Sequence, residues 1–552
     1  MRVRIVETIR KRRQFFINGF IILLVNLGLA HAQIERWVYR TCGFGTGVDY
    51  GEAIIYGTDG NIYATGTMYG ENTDQDFVII SLTLLGNERW LYTYNGPGNN
   101  WDYGLSLTYG LDGNIYACGC SYDSSGDFTV ISLTPLANER WVYRFNGSGN
   151  FNDFANSIAY GLDGKIYVAG RSVGSGTSYD LTIICLDTAG NEQWRYLYNG
   201  TGNSNDIASS IVYGLDGNIY AAGSTTNSGT GIDFTIISLT TSGDERWLYT
   251  FNGPENGTEG AAAIAYGLDG NIYAAGQCFN SGTGGADYFT VISLTSSGNE
   301  RWVYRYDNPQ GNYYDGASSL VYALDGNIYA AGESYGSGSS RDITVISFTP
   351  SGNERWVYQY NGPGNFWDWA NSIVYGIDHY IYVAGRSYGL GTGFDFTVIK
   401  LDTLGNGHWI YRYDGPANDQ DEAYSITYGT DSDLYVAGYS EGISTYFDFT
   451  VISLDPTTGI NEKQTTLPLF VAYFPLFQNK IILKFNQYLQ SPLEISLYNV
   501  YGAQVLEKVV SGNISNTLIL EDKKFTELTP GVYFLTVSSG YRNFGKVKLI
   551  KI

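Results

Sequence analysis

The chain has 552 residues, with 54 Asp and Glu against 32 Lys and Arg, a net charge of −22 and three histidines. Acid excess on this scale repels the phosphate backbone and excludes nucleic acid as a partner class. Only His379 and His408 lie beyond residue 32, and both replace repeat residues at turns, so no Ser–His or Cys–His nucleophile is expected.

Residues 1–32 read as a secretory signal. Arg2, Arg4, Arg10, Lys11, Arg12 and Arg13 form a basic n-region, and an apolar stretch follows from Phe15 to Ala30. Ala30-His31-Ala32 is a small-x-small cleavage site before Gln33. The apolar stretch is short for a membrane span, so no transmembrane segment is expected in the mature chain.

From Gln33 to Pro456 the sequence repeats. Trp37, Trp90, Trp141, Trp194, Trp247, Trp302, Trp356 and Trp409 recur every 51 to 55 residues, the mark of a repeat architecture. Each copy holds four short runs rich in Ile, Val, Thr, Tyr and Trp, bounded by Gly, Asn or Asp, which is the strand signature. Asp-Gly joins the first two runs in six of eight copies, suiting a two-residue hairpin. Ser-Gly-Asn or a close variant joins the last two. Repeats of four antiparallel strands predict an all-β propeller.

The ends of the repeat predict its closure. A strand of the Asp-Phe-Thr type occurs eight times, and the last copy, from Asp448, has no Trp strand after it. The first Trp strand, from Glu35 to Arg40, has no partner before it. Eight blades follow, with the N-terminal strand as the outer strand of the last, covering an edge that would otherwise invite aggregation. The pattern resembles the seven-bladed-propeller-type repeats of secreted bacterial proteins (SBBP repeats). The resemblance rests on Asp-Gly-Asn-Ile-Tyr-Ala-Ala-Gly (Asp216 to Gly223), the Asp-Phe-Thr strand and the Gly-Asn-Glu-x-Trp turn. It implies the fold and no particular activity, and this chain departs from it in offering eight copies.

Chain alternation predicts two unlike faces. The Asp-Gly and Ser-Gly-Asn turns share one face. The longer second-to-third strand loops and the blade-to-blade loops share the other, where binding is expected. The blade-to-blade loops set aromatics beside Asp, and Trp101, Phe151, Tyr313, Tyr314, Phe366, Trp367 and Trp369 are the candidate ligand-binding residues. The loop acid itself recurs as Asp49, Asp102, Asp153, Asp206, Glu259, Asp315, Asp368 and Asp421. An acid needed once for catalysis is not required eight times, so its expected role is to cap backbone N–H groups. No cofactor is expected. Calcium is the alternative, through Asp74 and Asp76 or Asp419 and Asp421, although neither run has EF-hand order. The five cysteines form no repeating framework and are expected as small buried thiols, with a bridge from Cys42 as the alternative.

A linker at 457–466 separates the propeller, 33–456, from a C-terminal unit, 467–552, in which lysine becomes common. Strand-like runs from Ile481, Leu493, Thr517, Gly531 and Gly545 predict a small Ig-like β-sandwich. It resembles the type A C-terminal sorting domains of the type IX secretion system. The matching residues are Leu497 to Val505, Leu528 to Phe534 and the basic stretch Lys546 to Lys551, while Phe474-Pro475-Leu476-Phe477 stands where the family has Pro-Asn-Pro. The resemblance implies secretion or display at the outer-membrane surface, with the type IX machinery as partner through 467–552. The sequence as a whole predicts a surface propeller that binds protein or polysaccharide. A carbohydrate-active enzyme using loop-face carboxylates and a structural extracellular component are the alternatives.

Overall fold

The computed structural model describes residues 34–44, 47–253, 256–280, 286–306, 315–336 and 340–457. Beyond these it describes 470–472, 476–477, 480–485, 493–499, 504–510, 517–529, 531–539 and 542–551. The expected signal at 1–32, nearly all of the expected linker, and Tyr313 and Tyr314 lie outside these residues.

Eight four-stranded antiparallel sheets follow one another in sequence. Blade 1 comprises Tyr50–Tyr56, Ile62–Tyr69, Gln75–Leu82 and Glu88–Tyr94. Blade 8 comprises Asp421–Tyr428, Leu434–Glu441 and Phe447–Leu454, and its fourth strand is Glu35–Thr41 from the other end of the chain. Glu35 lies opposite Leu454 and Thr41 opposite Phe449. The eight-bladed ring is therefore closed by the N-terminal strand. The first strand of each blade touches the first strand of the next, and Tyr50–Tyr56 touches Asp421–Tyr428, so the first strands wall a central channel.

Cores form between neighbouring blades rather than within one. Tyr63, Phe77 and Ile79 of blade 1 pack on Leu107, Ile115, Ala117, Ile131 and Leu133 of blade 2, all buried. Polar ties reinforce each interface. Seven tryptophans donate their indole N–H to a carbonyl in the tight turn of the next blade at 2.9–3.0 Å, from Trp37 to Leu84 O through Trp356 to Thr403 O. The indole rests on the turn glycine. A Cβ on Gly86, already at φ +76°, would lie 2.5 Å from the Trp37 ring. This explains the Ser-Gly-Asn turns, since glycine is required both for its left-handed conformation and for the approach of the ring. Ala137 takes that conformation in blade 2, at φ 63°, at a cost of about 1 kcal/mol.

Each blade also buries one tyrosine completely, from Tyr63 to Tyr435, whose hydroxyl donates to the hairpin aspartate at 2.5–2.7 Å. In five blades an arginine of the outer strand, such as Arg89, donates to that hydroxyl and to a serine of the third strand. Of the other three blades, two supply a cation from elsewhere. Blade 3 has Gln193 and Cys185 at the two positions, and Lys165 sits 3.9 Å from Asp163. Blade 7 has His408 and Lys400, and Lys400 Nζ lies 3.3 Å from Asp378. Lys400 also donates to Pro456 O at 2.8 Å, the carbonyl that matches the indole acceptors elsewhere, and the Trp409 N–H has no hydrogen bond among the described residues. Blade 8 keeps the outer-strand arginine, Arg36, which pairs with Asp433 at 3.1 Å rather than with the hairpin aspartate Asp431. All five cysteines are free, Cys42 exposed and the others buried.

In the C-terminal unit, Phe470–Ala472, Lys480–Phe485 and Thr517–Glu521 form one sheet. Leu476–Phe477, Arg542–Lys551, Gly531–Ser539, Leu493–Asn499 and Gln504–Val510 form the other. Ile481, Leu483 and Leu520 of the first share a buried core with Ile495, Leu497, Leu535 and Val537 of the second, as a sandwich requires. Gln504–Val510 was not expected as a strand because charge interrupts its apolar residues.

Candidate functional site

The recurring loop acid is scaffold. Asp102 is fully buried, and its two carboxylate oxygens accept from Gly96 N at 2.6 Å and Tyr122 N at 2.7 Å. The same two-oxygen clasp holds Asp49, Asp153, Asp206 and Asp368, joining the incoming blade-to-blade loop to the end of the second strand. Asp421 keeps only the loop half, from Gly415 N at 2.7 Å. Burial raises these carboxyls and the N–H bonds hold them down, leaving Asp49, Asp102, Asp153, Asp206 and Asp421 at about 6 and Asp368 at about 7.

A carboxyl raised on folding contributes stability that is full below its unfolded value, near 4, and lost as pH rises through the folded value. Six groups shifted the same way predict a melting temperature that falls as pH rises from about 4.5 to about 7.5. Calorimetry across that range checks this, and a melting temperature that rises with pH would contradict it.

The calcium candidates differ in exposure. Asp76 and Asp421 are buried, Asp74 is half-buried and Asp419 is exposed. Asp76 accepts from Thr73 Oγ1 at 3.2 Å. The acids that converge among the described residues are Asp395, Asp414 and Asp421, within 4.8 Å of one another, and Arg412 already donates to Asp395 there.

Four of the aromatic candidates stand in solvent on the loop-rich face. Trp101 is 49% exposed, Phe151 67%, Phe366 43% and Trp367 41%. Phe366 and Trp367 stack on each other with centroids 5.1 Å apart and planes 10° from parallel. Arg341 lies 5.4 Å from the Trp367 ring. Trp369 differs. It is half-buried on the inner strand of blade 7, donates Nε1–H to Glu422 Oε1 at 2.9 Å, and has the Arg386 guanidinium 3.3 Å from its ring centroid. Its neighbours in sequence suggest an exposed loop ring, but the inner strand begins at Trp369 and packs it against Arg386 and Phe394 and onto Glu422 of blade 8.

The channel mouth is the feature that sequence reasoning missed. Every inner strand skips register once, as between Gly51 and Ala53, which leaves one bulge residue without a cross-strand partner. The bulge residues are Glu52, Leu105, Asn156, Ser209, Ala262, Ser318, Asn371 and Tyr424, of which only Glu52 is charged. Two residues before each bulge stand Tyr50, Tyr103, Phe154, Ile207, Gly260, Gly316, Trp369 and Glu422. Glu422 is 3% exposed and accepts from Arg386 at 2.7 Å, Asn371 at 2.8 Å, Trp369 at 2.9 Å and Tyr439 at 3.2 Å. Glu52 makes no hydrogen bond or ion pair with the described residues. Burial, and secondarily the Glu422 charge, pushes its carboxyl up to about 7. The rings of Tyr50, Tyr424 and Tyr439 cluster beside it with centroids 5.2–6.4 Å apart. Aligning the eight copies would have shown two acids where other blades carry neutral residues.

Comparison with known proteins addresses the other end of the molecule. Residues 477–551 match the family model of the secretion system C-terminal sorting domain. This segment is a type IX sorting domain. The chain that carries it is accordingly a secreted or outer-membrane surface protein. No curated protein matches the chain. Similar solved structures include a protein of unknown function from Bacteroides caccae, 12% identical, covering 51% of this chain and 89% of that one with a TM-score of 0.30. Another, from Dyadobacter fermentans, is 13% identical over 56% and 96% of the two chains, TM-score 0.35. A eukaryotic initiation factor is 9% identical over 88% and 91%, TM-score 0.38. Likenesses at this level carry no functional argument. No helix among the described residues is long and apolar enough to cross a membrane.

Proposed function

We propose that the protein is a surface-displayed propeller that binds an extracellular polymer, a polysaccharide before a protein, through its loop-rich face. The carrying observation is the exposure of Trp101, Phe151, Phe366 and Trp367 on loops that a buried aspartate clasps rigidly to the blades. Flat rings held in fixed positions in solvent suit the stacking of sugar rings. The surplus of acid in the repeat disfavours anionic polymers, leaving neutral or cationic ones. The resemblance of the blades to secreted bacterial propeller repeats fits this reading.

Trp101→Ala and Trp367→Ala test it on a glycan array. Each is expected to weaken binding by about 5- to 30-fold while shifting the melting temperature by no more than about 2 °C. A large drop in melting temperature with binding unchanged would make the rings inter-blade filler. The enzymatic alternative draws on the Glu52 and Glu422 carboxyls at the channel mouth, and release of reducing ends from a bound polysaccharide would favour it over binding alone.

A further inference from the structure

The unpartnered acid of the channel mouth stands across the ring from two glycines. Six of the eight residues that precede the bulges carry large or branched side chains, and blades 5 and 6 carry Gly260 and Gly316. Neither glycine is required by the backbone. Neither has a positive φ, a Cβ on Gly260 would meet nothing closer than Ser224 Cβ at 3.6 Å, and one on Gly316 only the flexible end of Gln277 at 3.3 Å. Elsewhere glycine answers a steric demand, as at Gly104, where a Cβ would lie 2.3 Å from Thr65 Oγ1. Omitted side chains that packing does not forbid leave room on the rim beside Ser224 of blade 4 and Gln277 of blade 5, across the ring from blades 1 and 2.

The chemistry of the opposite wall is specific. Glu422 is already neutralised by Arg386 at 2.7 Å and saturated by three further donors. Glu52 has none of these. It projects from a bulge on the adjacent inner strand, and its charge is felt by both Tyr50 and Tyr424. Arg171, a cation with no ion pair among the described residues, lies two blades away between the Phe154 and Tyr179 rings, 4.6 Å from each. A carboxylate whose charged neighbour is a second carboxylate, flanked by tyrosine rings, favours a cation over an anion.

We propose that the channel mouth is a second ligand site, in which Glu52, beside Tyr50 and Tyr424, takes the protonated amine of an amino sugar in the bound polymer. The proposal rests on the polysaccharide reading of the loop face and names the class of sugar that this face presents to the channel.

The test uses the full chain and three probes: a glucosamine oligomer, its N-acetylated counterpart and Nα-acetyl-lysine methylamide. Titration calorimetry is expected to show the glucosamine oligomer binding about tenfold or more tighter than the N-acetylated one. Glu52→Gln should abolish that preference and leave the N-acetylated oligomer unaffected. Gly260→Leu, which the backbone tolerates, should weaken the glucosamine oligomer by closing the mouth. Equal affinity for the two oligomers, or a preference that survives Glu52→Gln, overturns the proposal. Binding of the lysine amide without the glucosamine oligomer also overturns it, in favour of a protein partner. If Trp101→Ala and Trp367→Ala leave polymer binding intact while Glu52→Gln removes the amine preference, the loop-face reading fails and this one stands.

Discussion

Deleting residues 34–41 is expected to turn a cooperative ring into a protein that forms larger oligomers and melts at least about 10 °C lower. The segment does more than complete a ladder. Arg36 reaches Asp433 at 3.1 Å and Asp455 at 2.9 Å, and Arg40 reaches Asp448 at 2.6 Å, all within blade 8. Trp37 donates to Leu84 O at 2.9 Å and Tyr39 to Glu88 at 2.5 Å, both in blade 1, while Glu35 accepts from Tyr411 of blade 7 at 2.6 Å. One strand thus ties three blades together. Without it, Phe447–Leu454 becomes an exposed edge rich in Ile, Val and Phe, and edge-to-edge pairing follows. Scanning calorimetry and light scattering check this. An unchanged melting temperature with a monomeric mass would contradict it.

Removing residues 467–552 is expected to leave the propeller folded and to abolish its appearance at the cell surface. The core of the C-terminal sandwich, from Ile481 to Val537, draws on no propeller residue. The ring's cores between neighbouring blades likewise close without the sandwich. The truncated chain should therefore melt as the full-length propeller does. Fractionation should find it inside the outer membrane, because the sorting domain that addresses it to the type IX machinery is gone. Surface levels equal to those of the full chain would count against a sorting role.

The ring was legible because its demands repeat. A tryptophan resting on a turn glycine every 51 to 55 residues, and two orphan strands of complementary type, specified eight blades and their closure. The structural role of the loop aspartate was legible for the same reason. What escaped were features that depend on single copies. His408 and Cys185 looked like isolated departures, yet Lys400 and Lys165 restore the cation from other strands or turns, an exchange visible only once three strands lie side by side. Trp369 was assigned to the exposed loop set because its sequence neighbours are there, but the inner strand turns it inward onto Arg386 and Glu422. Glu52 is not apparent from sequence because a bulge, which no local composition announces, takes it out of the ladder on the inner strand.

Closing the ring with the N-terminal strand also fixes how the molecule bears load. Glu35 lies opposite Leu454, so the chain enters and leaves the ring side by side, on the tight-turn face and away from the loops that display the aromatic rings. A protein tethered through its C-terminal unit, with a polymer held on the loop face, transmits tension into Phe447–Leu454. That strand is laddered on both sides, to Glu35–Thr41 and to Leu434–Glu441. Tension along it must shear two ladders at once, whereas a strand at the edge would peel away one hydrogen bond at a time. The seam of the ring therefore resists being pulled as the interior strands of the unbroken blades do.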